Sequence, residues 1–544
     1  MSTPPPQINW VPILAARAQN DRDAMKLYAA AISGLIGVFI TYYATTYLWR
    51  KTGLPGRPSS YSASIKSLLS RKISIAPSLG HVLLYITYFG LNLGFFFVKV
   101  DDSILSWDYI VPMRAGWLAV SNLCLTVFLS LKNTPLAFLT GWTYDRLNPL
   151  HRAAGLMTSA LVVIHAAMAS AFYQDSQPSK LYEAKQYFVI FAAFTMFSTV
   201  GVALALQRRR YELFYVLHVL LFMLLVVFIC LHHPDITQKV MIVIFIAAGL
   251  WIVDRLVRAT SLLYHGINNT ATLQPLPSGG TRVTLQKSPL GAKSGQHAYL
   301  WIPGVRYFET HPFTIVSTQP TEFVVDAHDG FTRDLHEYAL KDPRVTLKAS
   351  VHGPYGHIPN PAAYDKVLIF AGGSGGTFGF GIALQLLRDL DAAVHRDITV
   401  VWAMRNRDLL EWFSPYLESI ARAQGFKISI NITGGSGLTE KVTSDQPSPT
   451  SRRSISEDRV EMADSRGHSD VSQQDLILGI PILRGRPNID DIVAQTVQGM
   501  SANSRVLVLA CGPSGLLKDV RQSATSRMVS NGAAISLQFE QFGW

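Results

Sequence analysis

Charge is scarce in this sequence. Of 544 residues only 16% are Asp, Glu, Lys or Arg, against 49% hydrophobic, a balance too apolar for a wholly soluble chain of this length. Cysteine is scarcer still: Cys124, Cys230 and Cys511 lie far apart, which argues against a disulfide framework or a cysteine metal cluster. The opening residues, MSTPPPQINWVPILAARAQNDRD, lack a basic start followed by a short apolar core, so no cleaved signal peptide is expected. No internal repeat is visible along the chain, and no Asp-rich twelve-residue calcium loop precedes the apolar part. The formal net charge is +11. Because the basic residues flank apolar runs, the expected partner is a lipid membrane with an anionic leaflet, and no nucleic acid.

A spanning helix needs about 20 mostly apolar residues. Seven runs qualify, near 27–48, 79–98, 110–131, 150–172, 187–206, 212–232 and 239–257. The stretch Trp49–Ser78 holds Arg50, Lys51, Arg57, Lys66, Arg71 and Lys72 with no acid, and Arg208–Arg210 follow the fifth run. Asp101, Asp102 and Asp108 follow the second, and the loop after the fourth mixes Asp175 and Glu183 with two lysines. Basic residues thus fall in alternate loops, which predicts the N-terminus outside and the C-terminus in the cytosol. The predicted domains are an extracytoplasmic segment 1–26, a seven-helix membrane domain 27–258, a small antiparallel β-barrel 259–362 and an α/β domain 363–544. The barrel rests on short alternating runs such as TRVTLQK and EFVVDAH. The α/β domain rests on strand–helix alternation from KVLIFAG onward. Residues 436–476, rich in Ser, Asp, Arg and Pro, read as a disordered insertion in that last domain.

Histidine inside a bilayer is costly and marks a functional site by default. Run four contains His151 and His165, and run six contains His218 and His232. Fourteen residues is nearly four helical turns, so each pair shares a face and is separated by about 21 Å along the axis. The two runs point the same way, so His151 can lie level with His218, and His165 with His232. Two rungs of imidazoles suit two stacked bis-histidine haems of the b type. His233 is an alternative to His232, and His81 has no partner at matched spacing.

The segment ETHPFTIVST combines a proline with spaced hydroxyls in a strand-like run, a combination that folding alone explains poorly. Together with GQHAYLWIPG (Gly295–Gly304), HDGFTRDL and VHGPYG (Val351–Gly356), it resembles the flavin domain of fungal ferric reductases and NADPH oxidases, whose cytosolic half is a ferredoxin–NADP reductase-like module. LNPLHR and RRRYELFYVLH resemble their haem helices. The resemblance implies that His311, Pro312, Phe313, Thr314 and Ser317 lie along FAD, and that Gly330, Phe331 and Thr332 receive its pyrophosphate. AGGSGGTFGF resembles the NADPH-phosphate loop, implicating Gly372, Gly373, Ser374, Gly375, Gly376 and Thr377. A glycine-rich turn between a strand and a helix suits that role because its amides can approach a phosphate. Arg405 and Arg407 either pair with the 2′-phosphate of NADPH or are ordinary surface arginines. ACGPSGL resembles the nicotinamide-side motif, with Cys511, Gly512 and Pro513 beside the hydride-transfer position; Cys511 is otherwise a small core residue. GRPNI (Gly485–Ile489) resembles a segment of the same lobe beyond the insertion. The resemblance makes Trp544 the terminal aromatic that covers the flavin, against the plainer role of a packing anchor.

The implied activity is transfer of electrons from cytosolic NADPH through FAD and two b haems to a ferric or cupric chelate or siderophore outside, with Cys511 and Trp544 at the hydride-transfer end. The acceptor would meet the loops near Asp101–Arg114 and Gln174–Lys185. An iron-uptake permease or a multicopper oxidase would act downstream, and the membrane would be the plasma membrane or that of an organelle. One alternative is an NADPH oxidase that reduces dioxygen to superoxide. Another is a scaffold or sensor that kept the fold and lost the chemistry, which a sample without haem absorbance would favour.

Overall fold

The computed structural model describes residues 10–52, 69, 78–103, 105–142, 144–233, 239–359, 361–389, 397–434, 476–500, 504–530 and 534–540. Seven of its helices are long and apolar enough to cross a membrane: α1 (Trp10–Thr52), α2 (Leu79–Phe97), α3 (Trp107–Ser130), α5 (Tyr144–Ser176), α6 (Ala184–Leu206), α7 (Tyr211–His232) and α8 (Lys239–Gly266). A short helix, α4 (Pro135–Thr140), follows α3. All seven predicted runs are therefore helical. The helix α1 begins at Trp10, well before residue 27, because Arg17 and Asp21 are buried rather than solvated. Asp21 takes ion pairs from Arg17 at 2.9 Å and from Arg114 of α3 at 2.8 Å. Those paired charges lower the apparent hydropathy of helix that is packed inside the bundle.

The next unit is a seven-stranded antiparallel sheet of β1 (Thr270–Leu276), β2 (Gly280–Leu285), β3 (His297–Trp301), β4 (His311–Thr318), β5 (Thr321–Asp326), β6 (Thr346–Lys348) and β7 (Ser350–Tyr355), in the order 6-1-2-5-4-3-7. Helix α9 (Phe331–Lys341) packs Phe331, Leu335 and Ala339 into its barrel-like core with Val283, Ile315 and Phe323.

The last unit is a second seven-stranded sheet: β8 (Lys366–Gly372), β9 (Asp397–Met404), β10 (Phe426–Ile432), β11 (Leu476–Ile477), β12 (Ile480–Arg484), β13 (Arg505–Cys511) and β14 (Ala534–Glu540). Its order is 11-12-10-9-8-13-14, parallel except for β11. Helices α10 (Gly376–Asp389), α11 (Leu409–Ala421), α12 (Ile489–Val497) and α13 (Ser514–Ser530) cover its faces. Parallel strands buried on both faces read as continuous apolar runs, and VLIF of β8 and VLVLA of β13 are fully buried. The chain leaves this sheet after β10 and returns as the pair β11–β12, of which β12 is hydrogen-bonded to β10 itself, so the Ser-rich stretch interrupts a single sheet. The insertion proper and Trp544 lie outside the described residues.

Candidate functional site

The four membrane histidines are held alike. Nδ1 of His151 lies 2.9 Å from the Thr126 carbonyl and Nδ1 of His165 2.7 Å from the Pro112 carbonyl, both on α3. Nδ1 of His218 lies 3.3 Å from the Thr199 carbonyl and Nδ1 of His232 3.4 Å from that of Lys185, both on α6. A carbonyl only accepts, so each Nδ1 carries the proton and each Nε2 of a neutral ring keeps its lone pair for a metal. The acceptors repeat the histidine register: Pro112 to Thr126 and Lys185 to Thr199 are each 14 residues. Thus α3 backs α5 and α6 backs α7, on two levels.

The rung on the side of the β domains, His151 with His218, is the inner one. An iron shared by two imidazoles needs a bond of about 2 Å on each side and a ring radius of roughly 1.2 Å, placing the centroids about 6.4 Å apart. The centroids of His151 and His218 are 6.3 Å apart, with the rings inclined at 68°. These residues fit a haem. At the outer level His232 lies within electrostatic reach of His165, and the His233 ring lies beside that of His232, tilted by 58° with centroids 4.4 Å apart. Gly116 of α3 makes room for His165: a Cβ there would meet Nδ1 at 2.9 Å and Cε1 at 3.0 Å.

A cavity of about 1210 Å³ runs from the inner rung to the flavin strand, lined by His151, His218, Trp251, Tyr299, Pro312 and Phe539 among others. The strand explains its own proline. Residues 311–314 pair only with β3, and pairing with β5 begins at Ile315. Pro312 therefore sits where β4 has one open edge, the position in a sheet that tolerates a missing donor. Ile315 points into the barrel core and Val316 into the nucleotide lobe. Thr314 and Ser317 are buried, and the Ser317 hydroxyl lies 3.5 Å from the Arg388 guanidinium of α10. His311 stacks on Phe331 at 4.6 Å and 18°, and Phe313 lies 6.1 Å from the same ring.

Gly330 has φ +68°, a left-handed conformation that favours glycine, and opens helix α9. Phe331 and Thr332 thus stand at a helix N-terminus, where backbone amides and the dipole favour a phosphate. Arg306 lies beside it, paired with Glu309 and Asp334 at 2.8 Å each and with Glu212 of α7 at 3.5 Å. Burial lowers the basicity of the His311 imidazole. Burial would raise the Glu309 carboxyl, but hydrogen bonds from Arg306 and His311 outweigh it and hold the group below its ordinary range.

In the nucleotide lobe, chain order departs in opposite directions from β8: to β9 on one side and to β13 on the other. The crevice beyond the carboxyl ends of such strands is the usual ligand position in an open α/β sheet, and both glycine motifs lie there. Gly373–Gly375 form a tight turn and α10 starts at Gly376. Several of the glycines are needed for packing. A Cβ at Gly372 would lie 2.7 Å from Cδ of Pro513, and one at Gly375 2.6 Å from the Cys511 carbonyl. Gly512 has φ +154° and its Cβ would strike Gly372. Ser374 hydrogen-bonds Asp326 of β5, and the Thr377 hydroxyl donates to the Ser374 carbonyl at 3.0 Å. Arg405 is exposed just past β9, next to β8. The Cys511 side chain is buried, and burial pushes its thiol well above the ordinary range.

Barrel and bundle meet through polar side chains. Tyr355 donates to the Asn133 side-chain oxygen at 2.9 Å, and Asn133 donates twice to Asp254 of α8 at 2.8 and 3.0 Å. The ammonium of Lys132 lies 3.9 Å from the Tyr299 ring centroid, and Arg258 bonds the Thr310 hydroxyl. Sequence reasoning missed these residues and the four acceptor carbonyls. A carbonyl has no residue signature, and only the repeated 14-residue offset could have pointed to it.

Three family models match in succession: "Ferric reductase like transmembrane component" over residues 115–229, "FAD-binding domain" over 266–359 and "Ferric reductase NAD binding domain" over 364–525. The chain belongs to the ferric reductase family. The first match contains His151, His165 and His218, the second the open edge of β4 and Gly330, and the third both glycine motifs. Among curated relatives, the chain is 24% identical to ferric/cupric reductase transmembrane component 2 of Schizosaccharomyces pombe, over 81% of this chain and 83% of that one. It is 24% identical to ferric reductase transmembrane component 4 of Saccharomyces cerevisiae, over 89% and 70%. A probable cell surface ferric reductase of Aspergillus oryzae is 28% identical over 56% of this chain, which spans 44% of the relative's length. The chain is thus a multi-pass membrane protein with FAD-binding and NAD-binding domains.

Proposed function

We propose that the protein is an NADPH-dependent reductase that carries electrons across a membrane to a ferric or cupric chelate. The reading rests above all on the four histidines, each fixed by a carbonyl through Nδ1 and paired on two levels with Nε2 free. His151 and His218 would ligate the inner haem, His165 and His232 the outer. When bound, the flavin supplies the exchange of a hydride for single electrons, and the haems supply one-electron carriage.

The chain's own residues do the positioning. The open edge of β4, from His311 to Thr314, offers backbone groups to the flavin, and the stacked His311–Phe331 pair fixes that edge against α9. The amides opening α9 receive the pyrophosphate, with Arg306 beside them. The turn at Gly372–Thr377 and the Cys511–Pro513 turn form the two walls of the NADPH crevice. Arg405 faces the 2′-phosphate, and Cys511 acts through its backbone, since its thiol is buried. Trp544, which lies outside the described residues, would on the family resemblance be the aromatic that covers the flavin until nicotinamide enters. The alternating basic loops support a cytosolic C-terminus, with reduction at the far side of the membrane and Fe²⁺ released there for uptake.

Purified protein should contain two haems and one FAD per chain, and His218→Leu should halve the haem while FAD is retained. With NADPH and a ferric chelate under anaerobic conditions, a ferrous-specific dye should develop. Signal that requires air and is abolished by superoxide dismutase would instead identify dioxygen as the acceptor.

A further inference from the structure

We propose that the loop Gly304–Thr310 is a membrane foot of the flavin lobe, with Tyr307 and Phe308 resting in the headgroup–acyl boundary of the leaflet on that side. Phe308 is 93% exposed and Tyr307 66%. Aromatic side chains so bare on a folded lobe call for a partner. Nor is the loop loose: the Trp301 indole donates to the Tyr307 carbonyl at 2.7 Å, and the Tyr307 and Phe308 rings meet edge to face at 4.9 Å.

The height of the loop is set by its neighbours. Arg306 reaches Glu212 at 3.5 Å, and His311 lies 4.0 Å from the same carboxylate. Glu212 is the second residue of the membrane helix α7. The aromatic pair therefore stands at the level where α7 enters the bilayer. From that level upward α7 exposes Leu213, Val216 and Leu220, an apolar surface of the kind that faces lipid. Arg208, Arg209 and Arg210, exposed just before α7, provide cationic contact with anionic headgroups. Aromatic rings beside basic residues at a helix end are the composition that favours the lipid interface over water or hydrocarbon. A foot there would hold the flavin edge of β4 at a constant height above the inner histidine pair.

The test uses the full-length protein in nanodiscs of phosphatidylcholine and phosphatidylserine. A nitroxide is attached to Phe308→Cys, to Tyr307→Cys and, as a control, to Leu340→Cys on α9, and the signal of the labelled parent chain is subtracted. Positions 307 and 308 should collide with oxygen more readily than with a water-soluble nickel chelate, and position 340 should show the reverse. Equal nickel access at all three positions would place the loop in water and overturn the proposal. Shielding of 307 and 308 from both probes would mean that protein covers the loop, and would overturn it as well. As a second readout, deuterium uptake across residues 303–310 should rise in Tyr307→Ser/Phe308→Ser relative to the parent in the same nanodiscs; an unchanged uptake would count against the foot.

Discussion

At the residue scale, the decisive feature is the proton on each Nδ1. Four carbonyls fix four tautomers, which leaves each Nε2 a lone pair for the haem iron that the proposed function calls for. Gly116 belongs to the same arrangement, because α3 can approach His165 closely only without a Cβ. Gly116→Ala should push the imidazole away by a few tenths of an ångström and lengthen its bond to Pro112. Overpacking of this kind costs about 1–3 kcal/mol. The outer haem should then be lost or spectrally altered while the inner one is retained, as read by low-temperature absorbance and redox titration. Gly90→Ala, with nothing within 4 Å of its Cβ, should change neither. The histidine spacing was legible in the sequence because the helical period relates residue number to face. Gly116 was not, because its reason for being glycine lies on another helix.

At the element scale, two contacts govern the flavin and nucleotide lobes. The ends of β8 and β13 approach through glycines, so Gly375→Ala must separate them or distort the turn. A loss of about 1–3 kcal/mol in stability and a raised KM for NADPH are expected, measured by thermal melting and steady-state kinetics. The second contact is the Arg306–Glu309–His311 latch beside α9. His311 is kept neutral by burial, so the stability it contributes is complete above its ordinary value of 6.5 and falls as pH drops below it. Glu309, held below its ordinary 4.5, contributes stability that is lost only at still lower pH. Deuterium exchange across residues 305–311 should therefore rise in two steps on acidification. His311→Gln should remove the upper step and Glu309→Gln the lower. The sequence motif located β4 and its proline. The single-sided pairing that makes the proline tolerable arises because β5 stops pairing with β4 at Phe323 and runs on to Asp326 beside β2, which only the sheet register decides.

At the scale of the whole molecule, electron flow depends on how the flavin lobe sits on the helix bundle. Asn133 is central to that seat, bonding Tyr355 of the barrel and Asp254 of α8. Asn133→Ala removes one hydrogen bond from the half-buried Tyr355 hydroxyl and one of the two that residue 133 donates to the buried Asp254 carboxylate, at a cost of about 0.5–1.5 kcal/mol each. Reduction of ferricyanide, taken as a direct acceptor from the flavin, should be unchanged, whereas haem reduction by NADPH should slow several-fold in stopped-flow absorbance.

The sequence by itself determined the number of spanning helices, the histidine register, the order of the three units and the glycine motifs. Each of these is written in local composition or in a fixed period along the chain. It also misjudged where α1 starts, because Arg17 and Asp21 look solvated until Arg114 is placed beside them. The tertiary structure alone decided which carbonyls orient the histidines, which glycines serve packing, and which side chains join flavin lobe to membrane domain. Those are contacts between residues distant in sequence, made by backbone groups common to every residue or by side chains whose partners no local pattern names.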